Sequence, residues 1–200
     1  MKPILSEHDK HCIKKLIELG MFINVMPEKL EIGKGIVIAP CSDGDQFDDV
    51  YSHIAGVCKH TVTANRIHTV ALNGGGMLMS DNLRQEYNAD GEAMLRSIIA
   101  AVEIKGINDV FLYTHFPCAI AIAHGLGVVD QGRFLMMAKR RLKEAAPSLD
   151  IKCFFHLDMY DEKEGSSHKK RTYFMPKEMW KNDESLLPVL NEFKNLLFKV

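Results

Sequence analysis

The chain has 200 residues, 46% hydrophobic and 26% charged, enough for one domain with a sizeable core and unlike disordered, collagenous or low-complexity chains. Twenty-five basic against 26 acidic side chains give a formal charge of -1, which leaves no overall electrostatic footprint for nucleic acid or an anionic membrane, so any charged partner must be met locally. The first ten residues carry no apolar h-region and no run of eighteen apolar residues occurs, so the expected address is the cytoplasm, with no membrane span.

From Ser6, the residues Ile13, Leu16 and Ile17 recur at helical spacing until Gly20, which predicts an amphipathic N-terminal helix. Gly35 to Cys41 is a short apolar run rich in β-branched residues and reads as a strand buried on both faces. A polar tract, Ser42 to Phe47, leads into a helix near Asp48 to His60, and a second buried run, His68 to Asn73, stops at Gly74-Gly75-Gly76. Leu95, Ile98, Ile99 and Val102 form the apolar stripe of a helix that Gly106 closes. The third strand is Asp109 to His115, followed by a short helix over Cys118 to His124 and a longer one over Gln131 to Ala146. A fourth strand runs from Ile151 to Leu157. Glu162 to Thr172 is polar and carries His168-Lys-Lys-Arg171, read as a solvated turn. Leu186, Leu190, Phe193 and Leu197 mark an amphipathic C-terminal helix.

Strands alternating with helices predict right-handed β-α-β units. The fold class is therefore α/β, a mostly parallel sheet of about four strands with helices on both faces and an amphipathic helix at each end. The whole chain, 1–200, reads as one domain with its core in 35–160, a helical extension in 1–34, and a loop and helix in 161–200.

In an open parallel sheet, ligands gather beyond the carboxyl ends of the strands. Strand one ends at Cys41 with Asp43 two residues on, strand two at Asn73-Gly74-Gly75, and strand three at His115 with Cys118 in the next turn. Two sulfurs and an imidazole on one rim make a Cys2His set, a known zinc donor set with an open fourth position, and thiolates favour zinc over magnesium or calcium. Five scattered cysteines, at 12, 41, 58, 118 and 153, do not form a disulfide framework. Cys12, Cys58 and Cys153 keep a plain reading as helix or strand residues, as do Cys58-Lys-His60 as a pair and His53 with His60 as a solvated helical face.

Cys41-Ser-Asp43 and the later His115-Phe-Pro-Cys118 resemble the β-class carbonic anhydrase family, whose pattern is Cys-x-Asp-Ser-Arg and then Gly-His-x-x-Cys-Gly. Asn73-Gly74-Gly75 falls where that family has Arg-Asn-Ala-Gly-Asn, and Ser97 to Val102 before Gly106 is similar to its helix ahead of the third strand. The resemblance covers roughly residues 35 to 160. It departs at Gly44-Asp45, where the family has Ser-Arg, at Leu72 in place of an arginine, and at Thr114 and Ala119 in place of glycines.

The resemblance implies Zn2+ held by Cys41, His115 and Cys118, and hydration of carbon dioxide to bicarbonate by a zinc-bound hydroxide that Asp43 orients. Asn73, Gly74 and Gly75 then line the pocket for a small neutral substrate, and a homodimer or higher homo-oligomer is the expected assembly. The family's arginine two residues after the aspartate holds that carboxylate off the metal, and Asp45 cannot do so. Either Asp43 closes the site, or a cation from elsewhere replaces the arginine, with Arg66 and Arg84 nearest in sequence. The alternatives are a non-catalytic zinc protein with a closed Cys2His-Asp shell, or a zinc hydrolase for carbonyl sulfide or carbon disulfide. A nucleotide-binding module built on the glycine run lacks the spacing of a dinucleotide or P-loop fingerprint.

Overall fold

Three mainly apolar runs become central strands of one sheet, because runs with little polar alternation must bury both faces, and a short half-buried strand pairs at one edge. In the computed structural model, which describes residues 5–24, 30, 32–57, 66–81, 83, 87–159 and 170–180, the elements follow in this order: α1 (Glu7–Glu18), β1 (Ile36–Ala39), α2 (Gly44–Val57), β2 (Ile67–Thr69), a 3-10 turn (Gly75–Met79), α3 (Asn88–Lys105), β3 (Asp109–Phe116), α4 (Ala119–Ala123), α5 (Val128–Ala145), β4 (Asp150–Asp158), β5 (Lys170–Phe174) and a second 3-10 turn (Lys177–Trp180). Every residue of β1 and β3 is buried.

The strand order is β2-β1-β3-β4-β5. The first four strands are parallel and β5 is antiparallel to β4. One sheet face packs Ile36, Ile38, Phe111, Tyr113 and Phe154 against Val50 and Ile54 of α2. The other places Val37, Val110, Leu112, Cys153 and Phe155 in the larger core with α1, α3 and α5. Chain order reverses between β1 and β3, which leaves a crevice at their carboxyl ends.

The α/β reading and four parallel strands hold, but the second is shorter and less buried than the expected run His68 to Asn73, being the half-buried edge strand Ile67–Thr69 with only an isolated bridge at Leu72 beyond it. The sheet also has a fifth strand where a loop was expected. β5 begins within the tract read as polar, which ended at Thr172, and it is an edge strand of mixed burial, so it carries no continuous apolar run to betray it. α2 begins at Gly44, four residues before the expected Asp48, because Asp43 caps it: the Asp43 carbonyl accepts from Gln46 N and Phe47 N, both at 3.1 Å. The expected C-terminal helix at 186–197 lies outside the described residues. No helix among the described residues is long and apolar enough to cross a membrane.

α3 meets the 3-10 turn at a glycine. A Cβ built on Gly91 would stand 2.4 Å from the Leu78 carbonyl oxygen, and a main-chain atom packed between helix and sheet cannot step aside. Gly91→Ala should therefore destabilise the fold by about 1–3 kcal/mol through overpacking, although alanine is intrinsically about 1 kcal/mol better than glycine in a helix. Urea unfolding checks this, and a more stable variant would mean that the contact relaxes freely.

Candidate metal centre

The end of β1, the end of β3 and the start of α4 converge on one buried point. Cys41 follows β1 and forms a parallel bridge with Leu72. His115 is the penultimate residue of β3, and Cys118 sits immediately before α4, after the cis Phe116–Pro117 peptide. All three are buried, and one ligand atom from each, two sulfurs and an imidazole nitrogen, lie within 4.8 Å of one another. Tetrahedral donors at zinc stand about 3.5–4 Å apart for bond lengths near 2.0–2.3 Å, so a small contraction closes the set on an ion. The sequence-predicted triad is thus brought together. Neither Nδ1 nor Nε2 of His115 has a hydrogen-bond partner, although a buried polar nitrogen left unpaired is costly. A metal bound through one of these nitrogens would satisfy it, so the donor set fits zinc.

The thiols are unequal. The Cys118 thiol donates to Cys41, which holds Cys41 well below the ordinary thiol range against the opposing effect of burial, and the nearby His115 and the Gly74 N–H act in the same sense. Cys118 is pushed up by that same hydrogen bond and by burial. The two sulfurs thus differ in proton affinity, Cys41 having the lower and Cys118 the higher, and metal binding to such a pair would release protons.

Gly74 and Gly75 make this approach of backbone to sulfur possible. Gly74, at φ 103°, donates its N–H to Cys41 Sγ at 3.2 Å. At Gly75, φ is 63° and a Cβ would lie 2.6 Å from the Tyr113 carbonyl oxygen and 2.8 Å from Cys41 N, so only glycine fits between β1 and β3. Asn73 accepts from the Ser42 hydroxyl at 2.7 Å and steadies the turn after Cys41.

Asp43 stands beside the triad but outside the group of ligand atoms. Its Oδ2 is 3.8 Å from His115 Nε2, while its Oδ1 accepts from Asp45 N at 3.0 Å as the N-cap of α2. Asp45 therefore contributes through its backbone.

Cross-strand register extends the site sideways. His115 pairs with His156, His156 with Thr172, and Asp158 with Lys170, so these side chains share the sheet face beneath the start of α2. His156 Nδ1 lies 2.8 Å from Thr172 Oγ1, its Nε2 is buried without a partner, and burial first of all lowers its pKa to about 4. Gln46 Nε2 donates to Asp158 Oδ2 at 3.2 Å. Lys170 Nζ donates to the Asp45 carbonyl at 2.6 Å and also pairs with Asp49 Oδ2. Sequence reasoning treated His156 as an ordinary strand residue. The available signal was a second imidazole at a strand's carboxyl end.

Several expectations are corrected. Arg66 donates to the Lys105 carbonyl at 3.2 Å ahead of β2, at the opposite end of the sheet, so it is not the cation near Asp43; Arg84 lies outside the described residues, as do Cys58, His60, His168 and Lys169. The basic run read as a solvated turn instead enters β5 at Lys170, whose side chain is 15% exposed and ion-paired. Cys12 and Cys153 are core residues, as expected, with thiols pushed up to about 12 by burial.

No family model and no curated protein matches the chain. Solved structures that it resembles include carbonic anhydrases. One is the β-carbonic anhydrase CafD of the filamentous fungus Aspergillus fumigatus, at 13% identity and TM-score 0.42, with 78% of this chain and 99% of that chain covered. Another is a carbonic anhydrase from Streptococcus mutans, at 12% identity and TM-score 0.37, with 86% of this chain and 100% of that chain covered. At such identities and scores the likeness carries no functional argument, and the weight rests on the geometry of the triad.

His53, expected on a solvated face, packs edge-on against Tyr113 and Phe154, with Nδ1 3.5 Å from the Tyr113 hydroxyl. Burial lowers its pKa from 6.5 to about 4. A histidine kept neutral in the fold contributes stability above its unfolded pKa, and that stability is lost as pH falls through this window. Unfolding free energy should accordingly drop between pH 6.5 and about 4, with a shallower drop in His53→Gln. Equal slopes for the two proteins would show that His53 does not titrate with folding.

Proposed function

We propose that the chain is a zinc-dependent, carbonic anhydrase-like enzyme that hydrates carbon dioxide to bicarbonate. Cys41, His115 and Cys118 hold the metal, and Asp43 orients the attacking water. The observation that carries the reading is the buried meeting of two thiols and an imidazole whose nitrogens make no hydrogen bond. Zinc bound there would lower the pKa of water toward about 7 and so make a nucleophile available at neutral pH. Two thiolates blunt that acidity, so the surrounding groups must supply the rest. The Gly74 N–H moderates the charge on Cys41, and Asp43, fixed at Oδ1 by its own helix, offers Oδ2 as acceptor for a proton of the water. Asn73, Gly74 and Gly75 form the wall against which a small neutral substrate rests, and a cytoplasmic homodimer completes the proposal.

A closed, non-catalytic Cys2His-Asp site is the second reading, supported by the 3.8 Å between Asp43 Oδ2 and His115 Nε2. The engagement of Oδ1 with Asp45 N and the position of Asp43 outside the ligand group favour the open site. Metal analysis should find zinc in the purified protein and lose it in Cys41→Ser. Asp43→Ala should keep the metal and reduce stopped-flow hydration by about 100-fold or more, the scale for removing a positioned acid-base group. Zinc retained in Cys41→Ser would remove the site, and zinc-replete wild-type protein without hydration would establish the second reading.

A further inference from the structure

We propose that Lys170, at the head of β5, is a positioning residue that keeps Asp43 off the metal by tethering the first turn of α2. The inference rests on the metal-site reading above, and its argument is geometric. Asp43 can reach a ligand position with little motion, since Oδ2 already lies 3.8 Å from His115 Nε2. What holds it back is the Asp45 amide at 3.0 Å on Oδ1, and that amide belongs to the first turn of α2. The turn is short of apolar anchors: Val50 and Ile54, the buried apolar residues of α2, come later in the helix. Two polar contacts pin its start to the sheet. One is Gln46 Nε2 on Asp158 Oδ2 at 3.2 Å.

The other is Lys170, whose ammonium bridges the Asp45 carbonyl and the Asp49 carboxylate. It is a charge on a mostly buried stem, bonded to two points one helical turn apart, and charge-assisted bonds of this kind are the strong ones. Asp158, its register partner on the same sheet face, places it against α2 without a long reach. A lysine from an edge strand thus sets the distance between a helix cap and the metal triad, although it touches neither substrate nor ligand atoms.

The test compares wild type with Lys170→Met, Lys170→Arg and Asp49→Asn, each as the full chain. Two readouts are used: hydrogen exchange of the amides of Asp45, Gln46 and Phe47, and azide binding to the cobalt-substituted protein followed by visible absorption. Lys170→Met should retain cobalt, lose azide binding by about tenfold or more and exchange the first-turn amides about tenfold faster, the scale for a lost charged hydrogen bond. The Ile54 amide should be unchanged. Lys170→Arg should restore both readouts, and Asp49→Asn should shift them in the direction of Lys170→Met, which keeps the test available should the methionine variant fail to fold.

Unchanged azide binding and exchange in Lys170→Met and in Asp49→Asn would overturn the proposal, as would a cobalt-loaded wild type that refuses azide because Asp43 already fills the position. If wild type takes up no metal at all, the metal reading fails by itself. Amide exchange then decides the tether alone: faster first-turn exchange upholds it and unchanged exchange overturns it.

Discussion

The parallel, in-register seating of β1 against β3 is the constraint from which the rest follows. Ile36 pairs with Asp109 and Ala39 with Leu112, so Cys41 emerges within about one residue of the level of His115, near the end of β3. The chain leaves β1 toward β2 on one side and returns to β3 on the other, and the crevice opened by that reversal is where ligands settle in such sheets. A slip of one residue would send His115 to the opposite face, because side chains alternate along a strand. Glycine at position 75 protects the seating, since its backbone fills the gap between the Tyr113 carbonyl and Cys41 N.

Within that crevice the energetics are those of a charge kept out of water. A buried thiolate is expensive unless compensated, and Cys41 has three compensating neighbours, the Cys118 thiol, His115 and the Gly74 N–H. Cys12 and Cys153 have no such company and remain protonated core residues. The same residue type therefore does two different things in one chain, and the difference lies in what surrounds each sulfur.

The triad was legible because its signals are local: a cysteine at the end of one apolar run, and a histidine at the end of another with a cysteine three residues on. β1, β3 and β4 were legible for the same reason, each being a mainly apolar segment, whereas the short edge strand β2 was placed only approximately. The polar surroundings were not, because they depend on pairings between distant segments. His156 gains meaning only from its register with His115. Lys170 sits in a stretch of charge that reads as solvent-facing until β5 is seen to pair with β4. The start of α2 was misplaced because Ser42 to Phe47 is polar, and polarity there signals a capped helix as well as a loop. His53 misled in the opposite direction, a polar residue on a helix face that proves to lie against aromatic rings.

β5 also bears on how copies of the chain can meet. An edge strand offers unpaired amides and carbonyls to any neighbouring strand, but at Phe174 both groups are already taken by Ile23, whose N–H donates at 3.0 Å and whose carbonyl accepts at 2.9 Å. The segment carrying Ile23 is fixed in turn by the Trp180 indole on the Met21 carbonyl at 3.0 Å. The N-terminal segment thus acts as a selvedge that stops the weave at the carboxyl end of β5. Growth of the sheet from one molecule into the next is blocked there, and contacts between copies at that margin must be made by side chains.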